Sequence, residues 1–130
     1  MTEQPLLFRP CTLLRVEALL VLIASCASYH HWFPHHWLLF ACLFLVPDLS
    51  LIPYMRGPST AASIGYNSAH SYLLPALLGV IFLCTGSLLS GEASLIWISH
   101  IGIDRMLGYG LKYPASFAFT HIQSAEAARP

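Results

Sequence analysis

Ionisable side chains set inside apolar sequence are the first candidates for chemistry, and this chain holds few of them. His100 and Asp104 lie four apart in "SHIGIDRMLGYGLKYP", with Arg105 next to them. His70 lies in a second apolar run, preceded by Tyr66 at four residues and Asn67 at three, a spacing that puts all three on one helix face. Asp48 follows Pro47 in a third run, and Glu17 sits at the start of the first. Pro47 cannot donate to the carbonyl of Leu43, which leaves an acceptor near the Asp48 carboxylate. Two imidazoles and two carboxylates, from Asp48, His70, His100 and Asp104, form a ligand set for one divalent transition metal such as Zn, Mn or Fe. The same groups could bind a small-molecule or lipid ligand, relay protons, or fix helix packing. The spacing is HxxxD rather than HExxH, and no complete catalytic motif is present. A haem held between His70 and His100 is a further geometry, with Asp48 and Asp104 unwelcome beside it.

The elements that must carry these groups follow from composition. Of 130 residues, 56% are hydrophobic and 9% charged, and the mean hydropathy is +0.64. A soluble domain carries about 25% charged residues, so a chain this short could not cover its apolar surface in water. The lipid bilayer is the partner this implies. A net charge of zero argues against a nucleic-acid partner. The four cysteines have no CxxC spacing and suggest neither a disulfide framework nor a zinc finger.

A helix needs about 17–25 residues to cross the hydrocarbon. Four spans meet that need, at about 12–29, 36–54, 61–85 and 94–109, the last using its polar flanks. The expected fold is all-α, a four-helix transmembrane bundle forming a single domain over 1–130. Ala61, Gly65 and Ala69 recur every fourth residue, so the third span offers a small face for helix contact. Arg9, Arg15, Arg56, Arg105, Lys112 and Arg129 can all be placed on one side, whereas "HHWFPHH" and "TGSLLSGEAS" carry no Lys or Arg. The positive-inside rule then places both termini in the cytoplasm. Trp32, Trp37 and Trp97 fall toward the opposite side as an aromatic belt. "IASC", ending at Cys26, resembles a lipoprotein cleavage box, but Glu17 interrupts the apolar region such a signal needs.

With that orientation, Asp48, His70 and His100 each lie seven or eight residues from the cytoplasmic end of their spans, roughly 10–12 Å deep. Glu17 reaches a similar level, and Asp104 lies one turn nearer the cytoplasm. The expected polar pocket therefore comprises Glu17, Asp48, Tyr66, Asn67, His70, His100, Asp104 and Arg105. Glu17, Asp48 and Asp104 supply three negative charges and Arg15 and Arg105 two positive ones. A proton, a protonated imidazole or a bound cation would balance that layer. Arg105 points about 100° away from Asp104, toward Glu17 or the cytoplasm.

Two flanking stretches complete the reading. "HHWFPHH" gathers His30, His31, His35 and His36 around Pro34 on the outer face, read first as an interfacial turn and second as a metal-binding tract. "LGYGLKYP" ends the fourth span, with Gly108 or Gly110 as its left-handed cap. Tyr109, Lys112 and Tyr113 are then placed at the cytoplasmic headgroups, as an anchor or an anionic clamp.

The stretches "PDLSLIPY", "GYNSAHSYLLP" and "HIGIDRMLGYGLKYPASFAFTHI" resemble a family of small bacterial membrane proteins, domain of unknown function 4260, over about Leu13 to Ile122. The resemblance implies a small multi-span protein of the bacterial inner (cytoplasmic) membrane. It supplies no catalytic residue. Two functional classes stay open. One is a non-enzymatic ligand-binding, proton-relay or structural role. The other is a membrane-embedded, metal-assisted hydrolase or transferase acting on a lipid-like substrate.

Overall fold

The structure, a computed structural model, describes residues 5, 9–114 and 120–122. It is all-α, a bundle of four helical rods. The first rod is α1 (Pro10–Trp32). The second joins α2 (Trp37–Leu43) to a 3₁₀ segment (Val46–Arg56). The third joins α3 (Thr60–Ala69) to α4 (Leu73–Thr85), and the fourth is α5 (Leu88–Leu107). Among the described residues the only strand-like pairing is an isolated antiparallel bridge, Lys112 with Thr120.

Each break has a local cause. Pro47 and Pro53 both lack the N–H that an α-helix needs, so the second rod passes from α-helix to the tighter 3₁₀ form after Leu43. Pro75 lies in the first turn of α4, and the chain leaves the helix at His70 before it. Proline there clashes with the carbonyl four residues earlier and cannot bond it. Side chains of α5 serve carbonyls at this interruption. Trp97 Nε1 donates to the Ala69 carbonyl at 2.6 Å, and Ser94 Oγ donates to the Pro75 carbonyl at 2.7 Å. Interrupted helices in apolar surroundings need such donors and acceptors from neighbours.

Three stretches are long and apolar enough to cross a membrane: Pro10–Trp32, Trp37–Arg56 and Thr60–Thr85. Only 11% of the most apolar window of each is buried inside the protein, so their leucines and isoleucines mostly face outward. The fourth rod is the reverse. Along α5, Glu92, Ser94, Ile96, Ser99, His100 and Ile101 are buried, and the helix packs chiefly on α1 and α4. Three rods thus turn apolar faces outward, and the fourth buries a polar face against them.

Several expected packing details differ. The fourth rod begins at Leu88, not near residue 94, so the expected loop "TGSLLSGEAS" shrinks to a turn at Gly86–Ser87 and Glu92 enters the helix. Gly86 takes a left-handed φ of 70° there. The expected small face of the third span is not used: Ala61 is exposed, and nothing lies within 4 Å of where a Cβ on Gly65 would stand. The packed face of α3 is Ala62, Ser63 and Tyr66. Close approach occurs instead between α1 and α5. There Ser25 and Ser99 share a hydrogen bond of 2.8 Å, and a Cβ on Gly102 would meet the Leu22 backbone at 3.3 Å. Trp97 does not join an outer belt, because its indole is tied to Ala69, next to His70.

Candidate metal centre

Four side chains from three rods converge. Asp48 comes from the 3₁₀ segment, His70 from the C-cap of α3, and His100 and Asp104 from successive turns of α5. His70 Nε2 lies 3.3 Å from His100 Nε2, 3.5 Å from Asp48 Oδ1 and 3.4 Å from Asp104 Oδ2. His100 Nε2 lies 3.4 Å from Asp48 Oδ1 and 3.5 Å from Asp104 Oδ2. Each of the four residues offers one ligand atom, and all four atoms lie within 4.8 Å of one another. A tetrahedral ion with bonds of 2.0–2.2 Å has ligand atoms about 3.3–3.6 Å apart. Five measured edges fall in that range.

The neighbours of this cluster set its protonation. Tyr66 stacks on His70, with centroids 3.9 Å apart and planes 13° from parallel. The Tyr66 carbonyl lies 3.0 Å from His70 Nδ1 and also accepts the His70 backbone N–H. A carbonyl can only accept, so Nδ1 carries the proton and neutral His70 turns a bare Nε2 toward the centre. With both carboxyl groups ionised, the centre then faces two carboxylates and at least one imidazole lone pair, all of them acceptors. His100 Nδ1 is buried with no partner among the described residues, and Phe44 packs edge-on against this ring. With an Nε2–Nε2 separation of 3.3 Å, a haem does not fit, because its axial nitrogens stand about 4 Å apart, twice a metal–nitrogen bond.

The other expected pocket residues divide. Tyr66 is beside the centre. Asn67 is not turned toward it but clamps the backbone that follows α5. Its Oδ1 accepts from Lys112 N at 2.7 Å, and its Nδ2 donates to Lys112 O at 2.9 Å. Ser63 Oγ donates to the same carbonyl at 2.8 Å. Arg105 turns from Asp104 as expected, but not to Glu17. Its guanidinium lies 4.4 Å above the Tyr72 ring and reaches the His70 carbonyl at 3.5 Å. Glu17 is exposed and makes no ion pair among the described residues. It lines a small separate cavity with Tyr72, Arg105 and His121, so it is not a member of the cluster.

The expected headgroup residues also divide. Tyr109 and Tyr113 are exposed, at 55% and 49%. Lys112 is buried, because the Asn67 clamp draws it inward. Its ammonium lies 4.7 Å from the Tyr66 ring centre and 5.3 Å from that of Tyr54. Burial pushes the Lys112 pKa down, against the pull of the Asp104 and Asp48 carboxylates. Gly108, with φ 99°, is the left-handed cap, and Tyr109 N donates to the Asp104 carbonyl at 2.8 Å. This closure holds the backbone of Asp104 in place.

A profile of one known family matches residues 11–125. The chain belongs to the DUF4260 family. That family is described as a domain of unknown function, so membership adds a lineage to the geometry and no activity. Neither the curated proteins nor the solved structures include a match to this DUF4260 chain.

Sequence reasoning missed one charged site. Glu92 is buried and its carboxylate pairs closely with His36 Nδ1, while Tyr29 donates to the His36 carbonyl at 3.0 Å. The histidines of "HHWFPHH" are therefore not a turn alone. A signal was available in the sequence, because Glu92, Ile96, His100 and Asp104 follow one another at four-residue spacing.

Proposed function

We infer that this protein is a multi-pass membrane protein that binds one divalent transition-metal ion through Asp48, His70, His100 and Asp104. The observation that carries the reading is the set of five ligand–ligand distances between 3.3 and 3.5 Å. Hydrogen bonding alone satisfies this set poorly, since each imidazole nitrogen carries at most one proton. A divalent cation is bonded by all four groups at once. With two carboxylates and two neutral imidazoles it also makes a centre of zero net charge. Unbalanced charge at membrane depth costs about 2.5–3.5 kcal/mol even on the lenient insertion scale.

The membrane placement rests on the outward apolar faces of three rods, and its orientation on six basic residues that the sequence allows to be placed on one side. Both termini, and the metal-binding half of the bundle, are then cytoplasmic. In a chain whose own four cysteines are replaced by Ala, impermeant thiol reagents added outside should label cysteines placed at 34 and 86 and leave those at 56 and 113 unlabelled. The reverse pattern overturns the topology.

Four protein ligands make a closed shell, as in structural or carrier sites, whereas catalytic zinc keeps one position open. One observation favours a reactive centre as a second reading. The Asp48 side chain is 38% exposed, against 19% for Asp104, 4% for His70 and 2% for His100. Elemental analysis of protein purified in detergent without chelator tests the common core of both readings. About one equivalent of Zn, Mn or Fe is expected. Protein that takes up none of the three, even when they are supplied, overturns it.

A further inference from the structure

An apolar cavity of about 340 Å³ opens beside the cluster, lined from the second, third and fourth rods. Its lining begins at the ligands' own neighbours. Pro47 precedes Asp48, Ala69 precedes His70, and Ile96 and Trp97 lie one turn before His100. From that level it runs along the bundle, away from Asp104, to Leu43 and Ala93. Ala93 is seven residues from His100, or about 10 Å along the helix axis. Both hydrogen-bonding groups at its near end are already engaged: Ser50 Oγ donates to the Pro47 carbonyl, and Trp97 Nε1 to the Ala69 carbonyl. The cavity therefore offers contact to methylenes and no free hydrogen-bonding side chain along its length. Its size falls within the 300–1,000 Å³ of small-molecule sites.

We propose that the metal centre serves an amphiphile whose single alkyl chain lies in this cavity and whose polar end takes the coordination position yielded by Asp48. The proposal rests on the metal-binding reading above. The cavity is lined by the residues next to Asp48 and His70 and by the turn before His100, and that adjacency selects this occupant. A wholly apolar guest would leave the metal end unused, and a wholly polar one would find no partner in the cavity. Asp48 is the ligand that yields because it is the most exposed of the four and stands on a 3₁₀ segment that carries two prolines. His100 and Asp104 are held within one continuous α-helix, and His70 is fixed through Nδ1 to the Tyr66 carbonyl.

The test uses Co(II)-loaded, detergent-solubilised protein and two hydroxamates, acetohydroxamate and octanohydroxamate, which share a metal-binding head and differ in chain length. The visible d–d spectrum reads coordination directly. Octanohydroxamate should perturb the spectrum at much lower concentration than acetohydroxamate. Ala93→Phe, which fills the far end of the cavity, should leave the ligand-free spectrum unchanged and weaken octanohydroxamate alone, by about tenfold or more. Val46→Trp, at the exposed rim, should act in the same direction and guards against misfolding of the first variant. Asp48→Ala should retain cobalt and bind both hydroxamates more readily. Equal response to the two hydroxamates, or a chain-length advantage that survives both cavity variants, overturns the proposal while leaving the metal centre standing. So does loss of cobalt from Asp48→Ala as complete as from His100→Ala. Failure of the unaltered protein to give any cobalt spectrum overturns the metal centre and this proposal together.

Discussion

The two ends of α5 each bury a carboxylate against histidine, yet they solve the electrostatic problem differently. At the N-terminal end, Glu92 meets His36 alone. One proton shared between one acid and one base leaves such a pair neutral, and half of the His36 side chain stays exposed. At the C-terminal end, His100 and Asp104 meet His70 and Asp48, and four groups compete for one centre. One proton on each Nε2 pairs each imidazole with one carboxylate, but three of the five short contacts then hold no proton. A buried acid–imidazole pair is thus ordinary helix-to-helix attachment. The same chemistry doubled, with four ligand atoms converging on one point, is the arrangement that the proposed cation would satisfy at all four groups at once.

The largest effect expected is on metal retention, and it should be confined to one end. Asp104→Asn keeps the shape of the side chain and removes its charge. Chelator competition should show an affinity loss on the order of 100-fold or more, beyond what loss of an outer-shell partner brings. His36→Gln should leave the affinity unchanged. Equal retention in Asp104→Asn and the unaltered protein would make the two ends alike, each a hydrogen-bonded attachment and nothing more.

The second effect runs the other way. His36→Gln leaves the Glu92 carboxylate buried without its base, which should lower unfolding stability by about 1–3 kcal/mol. Adding Glu92→Gln to that variant should restore most of the loss, since a neutral amide no longer needs the base. Unfolding in mixed micelles with a double-mutant cycle measures this, and strict additivity would show that the pair does not interact. His30, His31 and His35 lie outside the pair and should be replaceable by Gln at little cost.

The contrast between the ends also shows what the sequence could disclose. Asp48, His70 and His100 were legible as a set because helix rise converts sequence position into depth, and basic residues fixed the direction of counting. Depth says nothing of azimuth. Glu17 lies at the right level on α1 but faces away from the cluster, and Asn67 points across to the chain beyond α5. The start of α5 was hidden because "TGSLLSGEAS" is rich in Gly and Ser and reads as a loop. Its burial against Phe33 and Phe82 turns those small residues into packing: a Cβ on Gly91 would meet Phe82 at 2.8 Å. Lys112 could not be placed at all from sequence, because its path depends on Asn67 and Ser63, 45 and 49 residues away.

That clamp gives the third prediction. Asn67→Ala strips two hydrogen bonds from the Lys112 backbone, so hydrogen exchange at Lys112 should accelerate by the equivalent of about 1–2 kcal/mol. Metal affinity should fall by about tenfold or less, because Asn67 acts on the cover over the site and not on a ligand. A loss as large as that of Asp104→Asn would instead make Asn67 part of the centre.

The smallest effect is a pH dependence in the same cover. Leu111 N donates to His121 Nδ1 at 2.9 Å, and His121 N returns a bond to the Leu111 carbonyl at 3.1 Å. An Nδ1 that accepts must be unprotonated, so the closed segment requires neutral His121. Burial lowers the His121 pKa from its ordinary 6.5, and the positive charge of Arg105 lowers it further. A base with a depressed folded pKa binds its proton more readily once released. The stability His121 contributes is therefore present above pH of about 6.5 and is lost as pH falls through the folded value. Protection of the Leu111 amide, corrected for intrinsic exchange, should decline as the pH is lowered from 7.5 to below 6.5. Glu92 and its neighbours in the first turns of α5 should show no matching decline. His121→Asn should flatten the profile at Leu111, since an amide accepts the same hydrogen bond without titrating. A decline of equal size at both ends of α5 would mean that acid loosens the whole bundle, and that the segment beside the candidate metal site has no proton-sensitive latch of its own.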